Sequence, residues 1–175
     1  AARNVEPVGS CRWSNVTVFS FHPVKIITTG EGGMALTNDD ELARRMAMLR
    51  SHGITRDPAW RQENQQGIKN AQAPQLRSAL WYYEQQMLGF NYRMTDIPAA
   101  LGTSQLKRLD SYIERRNVLA RRYDHALKDL PLQLPTTQIE NRSAFHLYVV
   151  RLKRSEITKT RRQVFDELWQ RGLGV

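Results

Sequence analysis

The chain has 175 residues, 41% hydrophobic and 25% charged, a balance typical of soluble globular proteins that excludes disordered and collagen-like readings. Its 26 Lys and Arg against 17 Asp and Glu give a net charge of +9, which attracts nucleic acid, acidic surfaces or phosphorylated small molecules. No apolar run approaches the ~20 residues of a membrane-spanning helix, the first residues lack a signal-peptide core, and a single cysteine, Cys11, excludes an internal disulfide; the expected compartment is the cytoplasm.

Taken in chain order, "NVTVFSF" (Asn15 to Phe21) is rich in β-branched and aromatic residues and predicts a buried strand. "MALT" (Met34 to Thr37) predicts a second strand just after the Gly32-Gly33 pair. Asn38 with Glu41 three residues on is a capping pattern for a helix whose inward face carries Leu42, Met46 and Leu49, and which Gly53 ends. From Arg56 to about Leu88 the periodicity is lost in a polar, Gln-rich stretch with Pro58 and Pro74, the mark of a functional or disordered loop. The aromatic cluster Trp81, Tyr82 and Tyr83 favours a loop that packs on something.

Order returns with "GFNYRMTDIPAALGTSQLKRL". Thr95 is the expected N-cap, Pro98 falls in the first turn, and Ile97, Leu101 and Leu109 supply apolar positions. Asp110 is expected to cap a second helix through Leu127, with Ile113, Ala120 and Leu127 at sevenfold spacing. "FHLYVVRL" (Phe145 to Leu152) reads as the clearest strand of all. "TKTRRQVFDELWQRG" predicts a helix with Val164, Phe165, Leu168 and Trp169 facing inward and Gly172 at its C-terminal end. The pattern shifts near Pro131, separating 1–130 from 131–175. The first residues resemble the middle of a loop and "RGLGV" the entry to a strand, so the chain is expected to be part of a longer polypeptide.

Few motifs carry chemistry. His22, His52, His125 and His146 lack metal-ligand spacing, and "GEGG" lacks the spacing of a dinucleotide fingerprint. Ser20 and His22 have no third partner for a triad. Lys107, Arg108, Arg115, Arg116, Arg121 and Arg122 suggest a phosphate-backbone footprint, but Asp110, Glu114 and Asp124 interrupt it and solvated helix faces explain it better. Lys25 stands apart. It follows a predicted strand, Pro23 stiffens its approach, and Gly30, Gly32 and Gly33 allow a tight turn after it. A lysine amine becomes a nucleophile when desolvation or a neighbouring cation favours its neutral form. Such a lysine at a strand end, with a hydroxyl nearby, suits pyridoxal 5'-phosphate.

"FSFHPVKIITTGEGGMALTND", "RSHGI" and "LGFNYRMTDIPAALGTSQL", in that order and spacing, resemble three blocks of the DegT/DnrJ/StrS family of pyridoxal-phosphate sugar-nucleotide aminotransferases. The likeness is dense through Leu109 and continues more thinly in "FHLYVVRL" and "RGLGV". It implies an α/β chain of fold type I: a large domain with a mixed sheet, whose C-terminal part and following helices are residues 1–130, and the beginning of a small α/β domain at 131–175. Lys25 would hold the cofactor as a Schiff base and Ser20 its phosphate, while Asn91 would reach the phosphate in a neighbouring subunit, so that a homodimer shares its active sites. Lysine, where related dehydratases carry histidine, implies a transaminase. "WYYEQQMLGFNYRMTDI" is similar to members that move an amino group from L-glutamate to a UDP-linked deoxy keto sugar, as in surface-glycan biosynthesis of the pseudaminic-acid type. His22, Trp81, Tyr83 and Arg93 are the remaining candidates for substrate contact or support. No metal, nucleic acid or membrane enters this reading.

The resemblance also has departures. "ARNVEPVG" differs from the family's usual turn, and the aspartate that pairs with the cofactor's pyridine nitrogen belongs to a block upstream of Ala1. Without that aspartate the cofactor loses its electron-sink tuning, and a sheet lacking its first strands exposes apolar edges. The alternatives are therefore a truncated, inactive relative acting as a folding or interaction module and, behind it, a basic nucleic-acid-binding protein.

Overall fold

A computed structural model of the chain describes residues 2–3, 6–60 and 79–175; the Gln-rich run around Pro74 lies outside them. They fall into two compact units, one from residues within 1–8, 24–27 and 104–175, the other from residues within 9–23 and 28–103. Among the described residues no helix is long and apolar enough to cross a membrane.

The second of these units is built on a hairpin. Strand β3 (Thr17–Ser20) pairs antiparallel with β4 (Gly33–Leu36), in a register that sets Ser20 opposite Gly33. β3 is shorter than its apolar run, and β4 lies one residue earlier than the run Met34 to Thr37. Thr17 and Phe19 are half-buried on one face, whereas Val18 on the other is 74% exposed and Ser20 is exposed too, so β3 is half-buried on one side rather than the buried strand that its β-branched and aromatic run suggests. Helix α1 (Asp40–Arg50) follows. Its cap is Asp39, not Asn38: the Asp39 carboxylate accepts from the Leu42 N–H at 3.0 Å, while the Asn38 amide donates to the Ser10 carbonyl. Met48 is buried, and the helix stops at Arg50, after which the Gly53 N–H turns back to the Met48 carbonyl.

Two-residue strands β5 (Ile54–Thr55) and β6 (Glu84–Gln85) pair antiparallel. Beside them the backbone N–H groups of Phe90, His52 and Tyr92 donate to the carbonyls of Leu49, Phe90 and Arg50. Gly53, at φ +67°, lies so close to this segment that a Cβ would overlap the Met87 carbonyl. Helix α2 (Asp96–Leu106) begins as expected, with the Thr95 carbonyl accepting from the Ala99 N–H. Its apolar positions are not buried as expected, however. Ile97 is 86% exposed and Leu101 is exposed as well, whereas Gly102 on the same helix lies so close to Thr29 that a Cβ would meet its methyl.

In the other unit, helix α3 (Leu109–Leu127) buries Ile113 and Ala120 and half-buries Leu127, the sevenfold stripe of the sequence. Asp110 does not cap it. Arg108 occupies that position without a side-chain bond, and Asp110 sits in the first turn, where its charge meets the helix dipole favourably. The short strands β1 (Ala2–Arg3), β2 (Glu6–Pro7) and β8 (Asn141–Arg142) form one three-stranded sheet, and β7 (Leu132–Gln133) pairs with β9 (Arg151–Leu152).

"FHLYVVRL" is thus a strand only at Arg151–Leu152. The reason is the lack of a ladder along the rest: Phe145 takes φ +43°, and α3 side chains bond this backbone instead. Arg116 donates to the carbonyls of Phe145 and His146, at 2.9 and 3.3 Å, and Asn117 to that of Ser143. Helix α4 (Arg161–Gln170) starts at a capping box of Thr160 and Gln163 and ends before Gly172 at φ +78°. Val164 and Leu168 are half-buried, but Phe165 and Trp169 stack on each other in the open, Trp169 at 63% exposure; the expected inward face is only half used.

Candidate functional site

Lys25 lies in the loop that leaves β3 and returns to β4. The loop is closed at its base by backbone bonds: the Phe21 N–H donates to the Gly32 carbonyl at 2.8 Å, and the Thr29 N–H to the Phe21 carbonyl at 3.0 Å. Lys25 is half-buried, while Ser20, His22 and Pro23 before it are exposed. The Ser20 hydroxyl sits at the last residue of β3 and accepts from the His22 N–H at 3.4 Å. The His22 imidazole turns toward Glu31, Nε2 to Oε1 3.9 Å.

Asn91 is exposed and forms an isolated antiparallel bridge with Ser51, directly after α1. Phe90 and Tyr92 flank it and stack at 4.8 Å, both exposed, and Arg93 beside them is exposed too. Trp81 and Tyr83 are exposed; the Tyr82 hydroxyl donates to Glu84 at 2.9 Å, and the Trp81 ring meets that of Tyr82 edge-on at 6.1 Å. Leu80 and Leu88 in the same segment are exposed as well.

Reading for chemistry alone overlooks Thr28 and Thr29, whose hydroxyls bond to the backbone of the lysine loop. Two adjacent threonines before a glycine turn are the available signal, since such hydroxyls commonly bond nearby main chain. Gly53 and Gly89 are a second omission. A Cβ on Gly89 would overlap the Gly53 nitrogen, so close backbone approach at two separated glycines sets the path into Asn91.

Taken singly, Lys25 offers the amine that an aldehyde requires, and Ser20, Asn91 and Arg93 offer a hydroxyl, an amide and a guanidinium, groups that bond phosphate. The residues present fit pyridoxal phosphate in that chemical sense.

Residues 3–175 match the model of the DegT/DnrJ/EryC1/StrS aminotransferase family, and the chain belongs to that family. It is 34% identical over 164 residues to the UDP-4-amino-4,6-dideoxy-N-acetyl-beta-L-altrosamine transaminase of Campylobacter jejuni, covering 93% of this chain and 38% of that protein. It is 38% identical over 152 residues to the GDP-perosamine synthase of Caulobacter vibrioides, covering 86% and 34%. Among solved structures it resembles Helicobacter pylori PseC, an aminotransferase involved in the biosynthesis of pseudoaminic acid, with a TM-score of 0.74 and 30% identity over 91% of this chain and 38% of that one. The fold is therefore the α/β fold of these aminotransferases, and the chain spans less than two fifths of the length of these relatives.

Proposed function

We propose that the protein is a pyridoxal-phosphate-dependent transaminase that moves an amino group from L-glutamate to the keto group of a nucleotide-linked deoxy sugar, the nucleotide being UDP. The observation that carries this reading is Lys25 itself: a half-buried amine on a loop closed at its base, five residues after a strand-end hydroxyl. The names of the relatives, two of them nucleotide-sugar enzymes, support the substrate class. On this reading residues 1–130 belong to the large domain and 131–175 begin the small one.

When bound, the cofactor supplies an electron-accepting ring and carries the amino group between the two substrates. The chain's own residues do the rest. Lys25 Nζ would hold the cofactor covalently and, when its amine is free, would serve as the base for the proton on the amino-bearing carbon. The Ser20 hydroxyl holds the phosphate. Asn91 serves the same phosphate in a second copy of the chain, a role that suits its exposure between two stacked, exposed rings. Arg93 and the net charge of +9 draw in the substrate diphosphate. Trp81 and Tyr83 border the sugar, and His22, held toward Glu31, steadies the approach to Lys25.

The test is borohydride reduction of the purified protein with pyridoxal phosphate, followed by peptide mass spectrometry and by amination assays with UDP- and GDP-keto sugars and glutamate. A pyridoxyl group confined to Lys25, with amination of the UDP sugar, is the expected result. Labelling absent or scattered over many lysines would leave the inactive-relative reading in its place. Amination of the GDP sugar alone would overturn the choice of nucleotide.

A further inference from the structure

We infer that Thr29 is a positioning residue for Lys25, locking the base of the lysine loop through its hydroxyl; this rests on the reading of Lys25 as the cofactor-binding amine. The loop's seven residues 22–28, with Lys25 at their centre, run between two anchored points. At one, the Phe21 carbonyl accepts twice, from the Thr29 N–H at 3.0 Å and the Thr28 hydroxyl at 2.8 Å. The Thr28 oxygen in turn accepts from the Gly30 N–H at 2.9 Å. At the other, the Thr29 hydroxyl donates to the Glu31 carbonyl at 2.7 Å, tightening the turn into β4.

Thr29 is one of the few buried polar residues described, 6% exposed. Two glycines make room for it. A Cβ on Gly32 would lie 2.5 Å from Thr29 Oγ1 and 2.6 Å from Met94 Cε, and one on Gly102 in α2 would lie 2.7 Å from Thr29 Cγ2. The threonine thus uses both its ends. The methyl packs toward α2, and the hydroxyl, shielded from water, is committed to the turn. A buried hydroxyl bonded to main chain costs more to lose than an exposed one. Its effect on Lys25 is to reduce the number of paths the loop backbone can take, so that the amine is presented with less entropy left to lose when it forms a bond.

Two substitutions separate the ends of the side chain. Thr29→Val keeps the methyl against Gly102 and removes the hydroxyl; Thr29→Ser does the reverse. Hydrogen exchange in the cofactor-free protein and borohydride trapping of pyridoxal phosphate at Lys25 are read on both. In Thr29→Val, exchange should quicken across 21–33 and not in α1, and trapping at Lys25 should slow about fivefold or more, the effect of roughly one lost hydrogen bond. Thr29→Ser should trap at close to the native rate. Native trapping in Thr29→Val, or slow trapping in Thr29→Ser with Thr29→Val unaffected, would overturn the inference by making Thr29 a packing residue. A native chain that fails to trap at Lys25 would instead overturn the functional reading beneath it. Should Thr29→Val not fold, Thr29→Ala is read against Thr29→Ser, since both lack the methyl and differ only in the hydroxyl: slower trapping in Thr29→Ala than in Thr29→Ser is expected, and equal exchange and trapping in the two would overturn the inference.

Discussion

The lysine loop, 21–33, and the segment at 145–150 invert what their sequences suggest. The loop, rich in glycine and with no strand or helix of its own between its ends, has its base closed by bonds between residues at most eleven positions apart. Within the run 145–152 read as the clearest strand, residues 145–150 have no ladder among the described residues and take bonds from side chains about thirty residues earlier. The difference lies in where the main chain finds its partners. A glycine-threonine loop carries its hydrogen-bond partners within itself. A strand does not, and without a neighbouring strand its hydrophobic pattern leaves the conformation to whichever donors happen to lie against it.

The strongest way to break this contrast is at Arg116. Arg116→Ala removes the guanidinium from the Phe145 and His146 carbonyls and should cost about 2 kcal/mol, as expected for hydrogen bonds from a charged donor. Urea unfolding would measure the loss, and hydrogen exchange should locate it at 141–150 while the lysine loop keeps its protection. Equal loosening of both regions would mean that the loop is not self-supporting.

Helix α4 offers a sharper comparison on the local side. Its capping box is written in four consecutive residues, Thr160 to Gln163. Thr160→Ala should cost about 1 kcal/mol, a smaller effect than at Arg116 and confined to the start of that helix by exchange measurements. The smallest effect is expected at Tyr148, whose hydroxyl donates to Asp124 at 2.6 Å. Partial burial, then the bond to the Asp124 carboxylate and its charge, push the Tyr148 pKa from 10.0 up to about 12. The phenol stays neutral longer in the folded chain than in the unfolded one, so its contribution is complete below pH 10 and is lost as the pH rises through about 12. Tyr148→Phe should flatten the alkaline fall of stability over that window and cost roughly 0.5 kcal/mol at neutral pH. An unchanged alkaline limb in a pH-dependent melt would discount the Asp124 bond.

Features that depend on neighbours in sequence are the legible ones. The β3–β4 hairpin, the helix starts and the Ile113–Ala120 stripe follow from spacing within a turn or two, with the cap misplaced by one residue at Asn38 and by two at Asp110. The candidate lysine is legible for the same reason, being framed by a strand and a glycine turn. Exposure is where the reading fails: Ile97, Phe165 and Trp169 have helical spacing toward a core, yet lie open. Periodicity names a face but cannot say whether anything covers it.

By itself, then, the sequence determined the chain's family, its helices, its hairpin and the lysine at the head of the loop, because each is written in local spacing and in blocks short enough to recognise. Only the tertiary structure decided that 145–150 is braced by Arg116, that Gly102 leaves room for Thr29, and that Gly53 and Gly89 meet beside Asn91. Those contacts join residues tens of positions apart, and the donor, acceptor or missing Cβ on one side has no mark that identifies its partner on the other until the chain has folded.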